Sequence, residues 1–199
     1  DDELMIQTVS IGKEDALIIV DLQVDFCPGG NLAVPEGDEI VPIANKLVEL
    51  FEKQGGQIVF SRDWHPDKHM SFKEYGGPWP VHCVQNTKGA EFHPDLFIPP
   101  SAIVVSKATE TSKEAYSAFD KTGLSETLHE AGIERVFICG LATDVCVKST
   151  ALDAIKLGYD TYVIQDASRG ITKESVEKSL NEMENVGVKI IKSRQILTN

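Results

Sequence analysis

The chain has 199 residues, 42% of them hydrophobic and 25% charged, which suits one domain with a full core and no need of disulfide or metal staples. Its formal net charge of -12 argues against a nucleic-acid partner, because phosphate backbones call for clustered Lys and Arg, and against docking on anionic membranes. It holds no run of eighteen apolar residues, and its acidic start lacks the basic opening of a signal peptide. Residues 1–10, with no Met at position 1, read either as a processed end or as a boundary imposed on the chain.

Strand and helix patterns then alternate along the chain. Residues 16–20 (Ala-Leu-Ile-Ile-Val) form a continuously apolar strand of the kind covered on both faces. A helix is predicted over 39–54, with Ile40, Ile43, Ala44, Leu47, Val48 and Phe51 on one face, Pro42 near its first turn and Gly55-Gly56 at its end. Further strands are expected at 57–61, 102–106, 135–139, 161–164 and 188–191, with helices at 124–131, 144–157 and 173–185. This rhythm predicts a single α/β domain over residues 1–199. Its mostly parallel six-stranded sheet carries helices on both faces, a Rossmann-like three-layer α/β/α arrangement. Residues 62–100 break the rhythm. They are rich in Pro, Gly, His and aromatic side chains, which marks a long functional loop at the carboxyl end of the second strand.

The four cysteines, Cys27, Cys83, Cys139 and Cys146, fit neither a zinc ribbon nor a redox C-x-x-C pair, and a reduced, cytoplasmic protein is the simplest expectation. Cys139 lies within an apolar strand and reads as a small buried hydrophobe. Cys146 differs, because the segment 135–147 reads as strand, tight turn and helix start. A thiol there faces unpaired backbone N–H groups and the positive end of a helix dipole, both of which favour the nucleophilic thiolate.

Asp21 and Lys107 each follow a core strand at its carboxyl end. A parallel sheet brings such ends to one edge, so Asp21, Lys107 and Cys146 can supply a proton acceptor, a cation and a nucleophile together. The plainer alternatives are a turn-capping Asp and a solvated Lys.

Asp63 and His65, at i and i+2 on extended chain, point to the same side, and His82 can reach them from the loop. Together they offer mixed O and N ligation suited to zinc, iron or manganese. The alternative is ordinary loop histidines bonded to backbone. His69 reads as a supporting residue rather than a ligand, because Pro66 disfavours one helix through His65 and His69. Phe26, Trp79 and Tyr116 can wall a small flat pocket, or simply pack.

The segments Ile19-Val20-Asp21-Leu22-Gln23-Val24-Asp25-Phe26, Ser61-Arg62-Asp63-Trp64-His65-Pro66, Trp79-Pro80-Val81-His82-Cys83, Lys107 and Gly140-Leu141-Ala142-Thr143-Asp144-Val145-Cys146 together resemble nicotinamidases, of the isochorismatase-like cysteine hydrolase superfamily. The resemblance covers about residues 16–170. It implies hydrolysis of nicotinamide to nicotinate and ammonia in NAD salvage, through a cysteine thioester, with pyrazinamide a secondary substrate. Carried over, Cys146 is the nucleophile, Asp21 the proton-transfer group and Lys107 the activating cation. Asp63, His65 and His82 hold one divalent metal, zinc before iron or manganese, which meets the pyridine nitrogen directly or through waters. Phe26, Trp79 and Tyr116 bind the ring. A cis peptide precedes Ala142, and the amides of Ala142 and Cys146 form the oxyanion hole. His69, Ser71 or a water are the options for a further ligand. Some relatives carry His where this chain has Val145. The partner implied is the small molecule alone, with no nucleic acid and no membrane, and a homo-oligomer is compatible with the sequence. The competing expectations are a relative acting on isochorismate or a carbamoyl compound, a non-catalytic docking module, and a zinc-stabilised structural protein with inert cysteines.

Overall fold

The computed structural model describes residues 8–197, so most of the expected processed end or imposed boundary, residues 1–7, lies outside the described residues. Six parallel strands run β1 Asp15–Val20, β2 Gln57–Asp63, β3 Ile103–Lys107, β4 Arg135–Leu141, β5 Asp160–Arg169 and β6 Lys189–Ile191. Their spatial order is β3-β2-β1-β4-β5-β6. The chain builds outward from β1 to β3 on one side, then returns to place β4 on the other. The β1/β4 boundary is therefore the switch point, where open α/β sheets bind ligands beyond the carboxyl ends.

Among the described residues five α-helices flank the sheet: α1 Val41–Lys53, α2 Leu124–Glu130, α3 Lys148–Lys156, α4 Lys173–Asn185 and α5 Arg194–Leu197. The period-2 alternation of the strands sorts the core into two layers. Leu17, Ile19, Phe60, Phe137 and Ile164 face α1 and α5, whereas Ala16, Ile18, Val20, Val136, Ile138 and Val163 face α2, α3 and α4. Phe51 of α1 meets Phe137 edge-on at 5.6 Å. Truncating either ring to Ala is expected to cost about 3–5 kcal/mol.

Several boundaries differ from the sequence expectation. α1 begins at Val41, with Pro42 in its first turn, and a 3₁₀ turn over Gly37–Ile40 leads into it. β5 runs to Arg169 rather than stopping at 164. Its polar residues after Ile164 mask the strand, but the Asp166 carboxylate accepts the Ser193 N–H at 2.7 Å. β2 runs two residues further than expected, so Asp63 is its last residue. The helix expected at 144–157 opens instead as a π turn over Thr143–Val147, closed by the Val147 N–H donating to the Ala142 carbonyl, before α3 begins. Residues 62–63 finish β2, and the rest of the stretch to 100 holds two 3₁₀ turns, Lys73–Tyr75 and Lys88–Ala90. The bridges His65–Val84 and Phe72–Trp79 tie the loop to itself, and Gln23–Phe92 ties it to the segment after β1.

Candidate active site

Four adjacent strands deliver the chemistry. Lys107 ends β3, Asp63 ends β2 as its register partner, Asp21 follows β1, and Cys146 follows β4 in the π turn. Gly140 makes the last crossing possible. At φ +120° it lies so close to β1 that a Cβ would stand 2.2 Å from the Val20 carbonyl oxygen.

Asp21 is fully buried, with φ 51°. One carboxylate oxygen accepts from Ser61 Oγ at 2.8 Å and the other from Lys107 Nζ at 2.6 Å. Lys107, 1% exposed, also donates to the Tyr116 carbonyl at 2.7 Å and lies 3.3 Å from Asp63 Oδ1. Burial opposes the Lys107 charge, but Asp21 and Asp63 overcome it and raise its pKa well above the ordinary value, so the ammonium is permanent. Burial raises the Asp21 pKa against the pull of Lys107. Asp63 is the reverse: burial opposes its ionisation, yet Lys107, His65 and His82 hold it well below the usual carboxylate range. Two buried carboxylates thus sit on one lysine with opposed tendencies, one a plain anion and the other a better proton acceptor.

The thiolate expected of Cys146 is corrected here. Burial pushes its thiol well up, Lys107 pulls the other way, and the Asp21 and Asp63 charges add to the rise. Desolvation outweighs the pull of Lys107, which favours the thiol and calls for a base to make Cys146 nucleophilic. Its side chain lines a small pocket, a cavity of about 40 Å³, with Phe26, Trp79, Tyr116, Asp63 and His82. The Trp79 indole donates to Tyr116 Oη at 3.2 Å, locking two of the three expected wall residues together. Leu141–Ala142 is a cis peptide, as the resemblance implies.

Asp63, His65 and His82 converge, with one ligand atom of each within 4.8 Å of the others. His65 Nδ1 lies 3.0 Å from the Ala108 carbonyl and His82 Nδ1 lies 2.8 Å from the Pro80 carbonyl. A carbonyl only accepts, so both Nδ1 atoms carry hydrogen and both Nε2 lone pairs face inward. The Nε2 atoms stand 3.3 Å apart, and Asp63 Oδ2 is 3.4 and 3.8 Å from them. Asp63 Oδ1 is buried with no hydrogen bond. Inward lone pairs beside a carboxylate are the donor set of a divalent cation, and the residues fit one.

His69 stacks on His65 at 4.1 Å, but its nitrogens are spent on Ser71 Oγ at 2.7 Å and the Lys113 carbonyl at 2.6 Å. Neither His69 nor Ser71 therefore turns a free donor to the cluster. Residues beyond the sequence reading also build the site. Ser61 bonds Asp21, while Leu32, Val34, Leu141 and Ile171 complete the apolar wall beside Val145, the position already noted for the His of some relatives. Only Ser61, facing the same way as Asp63 on β2, carried a periodic signal.

The fold and the site together define a class. Residues 15–195 match the isochorismatase domain family, and the chain belongs to it. The chain is 43% identical over 177 residues to the nicotinamidase of Escherichia coli (strain K12), an alignment covering 78% of this chain and 83% of that one. It superposes on the crystal structure of the pyrazinamidase of Pyrococcus horikoshii in complex with zinc with a TM-score of 0.88, at 53% identity and with 90% and 99% of the two chains covered. With PnC1 from L. infantum in complex with nicotinate the TM-score is 0.89, at 36% identity over 95% and 98% of the two chains.

Proposed function

We propose that this chain is a cysteine amidohydrolase that converts nicotinamide to nicotinate and ammonia in NAD salvage, with pyrazinamide as a secondary substrate. One observation carries the reading: a single apolar pocket is lined by both the Cys146 thiol and the metal-fit residues Asp63 and His82, between Phe26, Trp79 and Tyr116. A flat heteroaromatic amide satisfies both ends at once, its ring against the aromatic wall and its carboxamide at the thiol. An isochorismate-cleaving relative has no evident use for the Asp63/His65/His82 cluster.

Asp21 takes the thiol proton as Cys146 Sγ attacks the amide carbon. The raised pKa of Asp21 suits that exchange, and Lys107 keeps the carboxylate ionised and aimed. The backbone amides of Ala142 and Cys146 hold the oxyanion, an effect worth roughly 3 kcal/mol per donor. Protonated Asp21 returns its proton to the leaving ammonia. Water then attacks the thioester, Asp21 accepts its proton, and nicotinate departs as the thiol reforms. Asp63, His65 and His82 would hold one divalent ion, zinc by the mixed imidazole and carboxylate donors, which would supply a Lewis acid toward the ring nitrogen end of the substrate.

The test is ammonia release from nicotinamide with and without a chelator. Release that falls on chelation and returns with added zinc is the expected result. No release from nicotinamide at any zinc concentration overturns the reading.

A further inference from the structure

The three alternate residues after β1, Asp21, Gln23 and Asp25, each hold a different part of the site, although only Asp21 enters the chemistry above. Gln23 is fully buried. Its Oε1 accepts the Asp63 N–H at 2.9 Å, and its Nε2 donates to the Asp63 carbonyl at 2.8 Å and the Ala90 carbonyl at 2.9 Å. One amide therefore brackets the main chain of Asp63 on both sides and ties it to the loop. Asp25, also buried, receives the Cys83 N–H on Oδ2 at 2.8 Å and the Asn31 N–H on Oδ1 at 3.1 Å. Cys83 stands at φ 48°, in the left-handed region, directly after His82. Asp25 therefore holds the turn from which His82 projects, and its neighbour Phe26 packs on the His82 ring at 5.6 Å. Gly89 lies so close over Asp25 that a Cβ there would stand 2.1 Å from Oδ2.

We propose that Gln23 and Asp25 are positioning residues for the metal cluster: by holding the backbones of Asp63 and His82 they set the affinity for a divalent cation, while Cys146 chemistry proceeds without contact to either. The inference rests on the proposed metal site.

The two positions are chemically opposite. Two N–H groups converge on separate oxygens of Asp25, so an acceptor-only carboxylate fits and an amide leaves one donor facing another. Gln23 faces two carbonyls and one N–H, so an amide fits and a carboxylate sets oxygen against oxygen. Each isosteric exchange, Asp25→Asn and Gln23→Glu, thus keeps the volume and reverses the bonding.

The measurement is zinc affinity of the metal-stripped protein, by competition with a chromogenic chelator, alongside Tm and the zinc dependence of ammonia release. Both exchanges are expected to weaken zinc binding about 10- to 100-fold, the range for residues that orient metal ligands. Ammonia release should recover at saturating zinc. Gln23→Met and Gly89→Ala are the second pair, in case an exchange fails to fold. Asp15→Asn is the control, because Asp15 binds Arg135 at the opposite end of the sheet, and it should lower Tm with zinc affinity unchanged. Zinc affinities within twofold of wild type in the folded variants overturn the proposal. So does an equal loss in Asp15→Asn, which reduces the effect to general destabilisation. A wild-type chain that binds no zinc fails the metal reading itself, and shows that before any variant is made.

Discussion

His65 Nε2 and His82 Nε2 point at each other across 3.3 Å, each with its Nδ1 held by a backbone carbonyl. Two lone pairs so placed repel unless a cation or a proton lies between them. Burial opposes the proton and Asp63 favours it, and the balance raises the His65 pKa.

Zinc should therefore stabilise the fold. At a free concentration of a hundred times Kd it contributes about 2.7 kcal/mol, or roughly 5–10 °C in Tm for a chain of this size. Calorimetry with and without zinc checks this. Asp63→Ala should abolish the shift, and an unchanged metal content in that variant would show the ligand set to be wrong. Because the proton competes for His65, whose pKa is raised, zinc affinity should weaken as pH falls, beginning above the ordinary histidine value of about 6.5.

Cys146→Ala removes the only cysteine lining the pocket. Ammonia release should fall at least about 10³-fold, while Tm stays within a few degrees and nicotinamide still binds. Turnover retained in this variant would rule out a thioester on Cys146.

Lys107→Met leaves Asp21 and Asp63 buried with their shared cation gone. Breaking a buried ion pair on one side costs about 3–5 kcal/mol, so urea unfolding should show a loss of that size together with loss of activity. A variant as stable as wild type would mean that the lysine charge does not balance the two carboxylates.

The acid limb of kcat/KM should report Asp21. The base must be ionised to take the thiol proton, and burial raises its pKa above 3.8. Activity is therefore lost as pH falls, and the loss begins at a higher pH than for an exposed carboxylate. The pH profile should be recorded at saturating zinc, so that metal loss does not mimic the limb. Cys27 and Cys139, with thiols pushed up to about 11 and about 12 by burial, should resist alkylation across the same range.

The apolar runs and helical periodicities placed all six strands and four of the five helices, because burial on both sheet faces leaves a composition signal in the strands themselves. The signal failed where polar residues are satisfied locally, as at Asp166 on Ser193, and in α5, which is too short to show a period. The Asp21, Lys107 and Cys146 set was legible because each follows a strand, and the Asp63/His65 pair because extended chain repeats every two residues.

Residue types and spacings were thus enough to name the groups that meet at the carboxyl edge of the sheet. Only the tertiary structure decided their states. Whether Cys146 rests as thiol or thiolate depends on desolvation by packing that no local pattern encodes. Which of two carboxylates on Lys107 serves as base depends on the histidines that gather around Asp63 alone. The roles of Gln23 and Asp25 likewise exist only through contacts 40 and 58 residues away in the chain, which strand order and loop packing bring together.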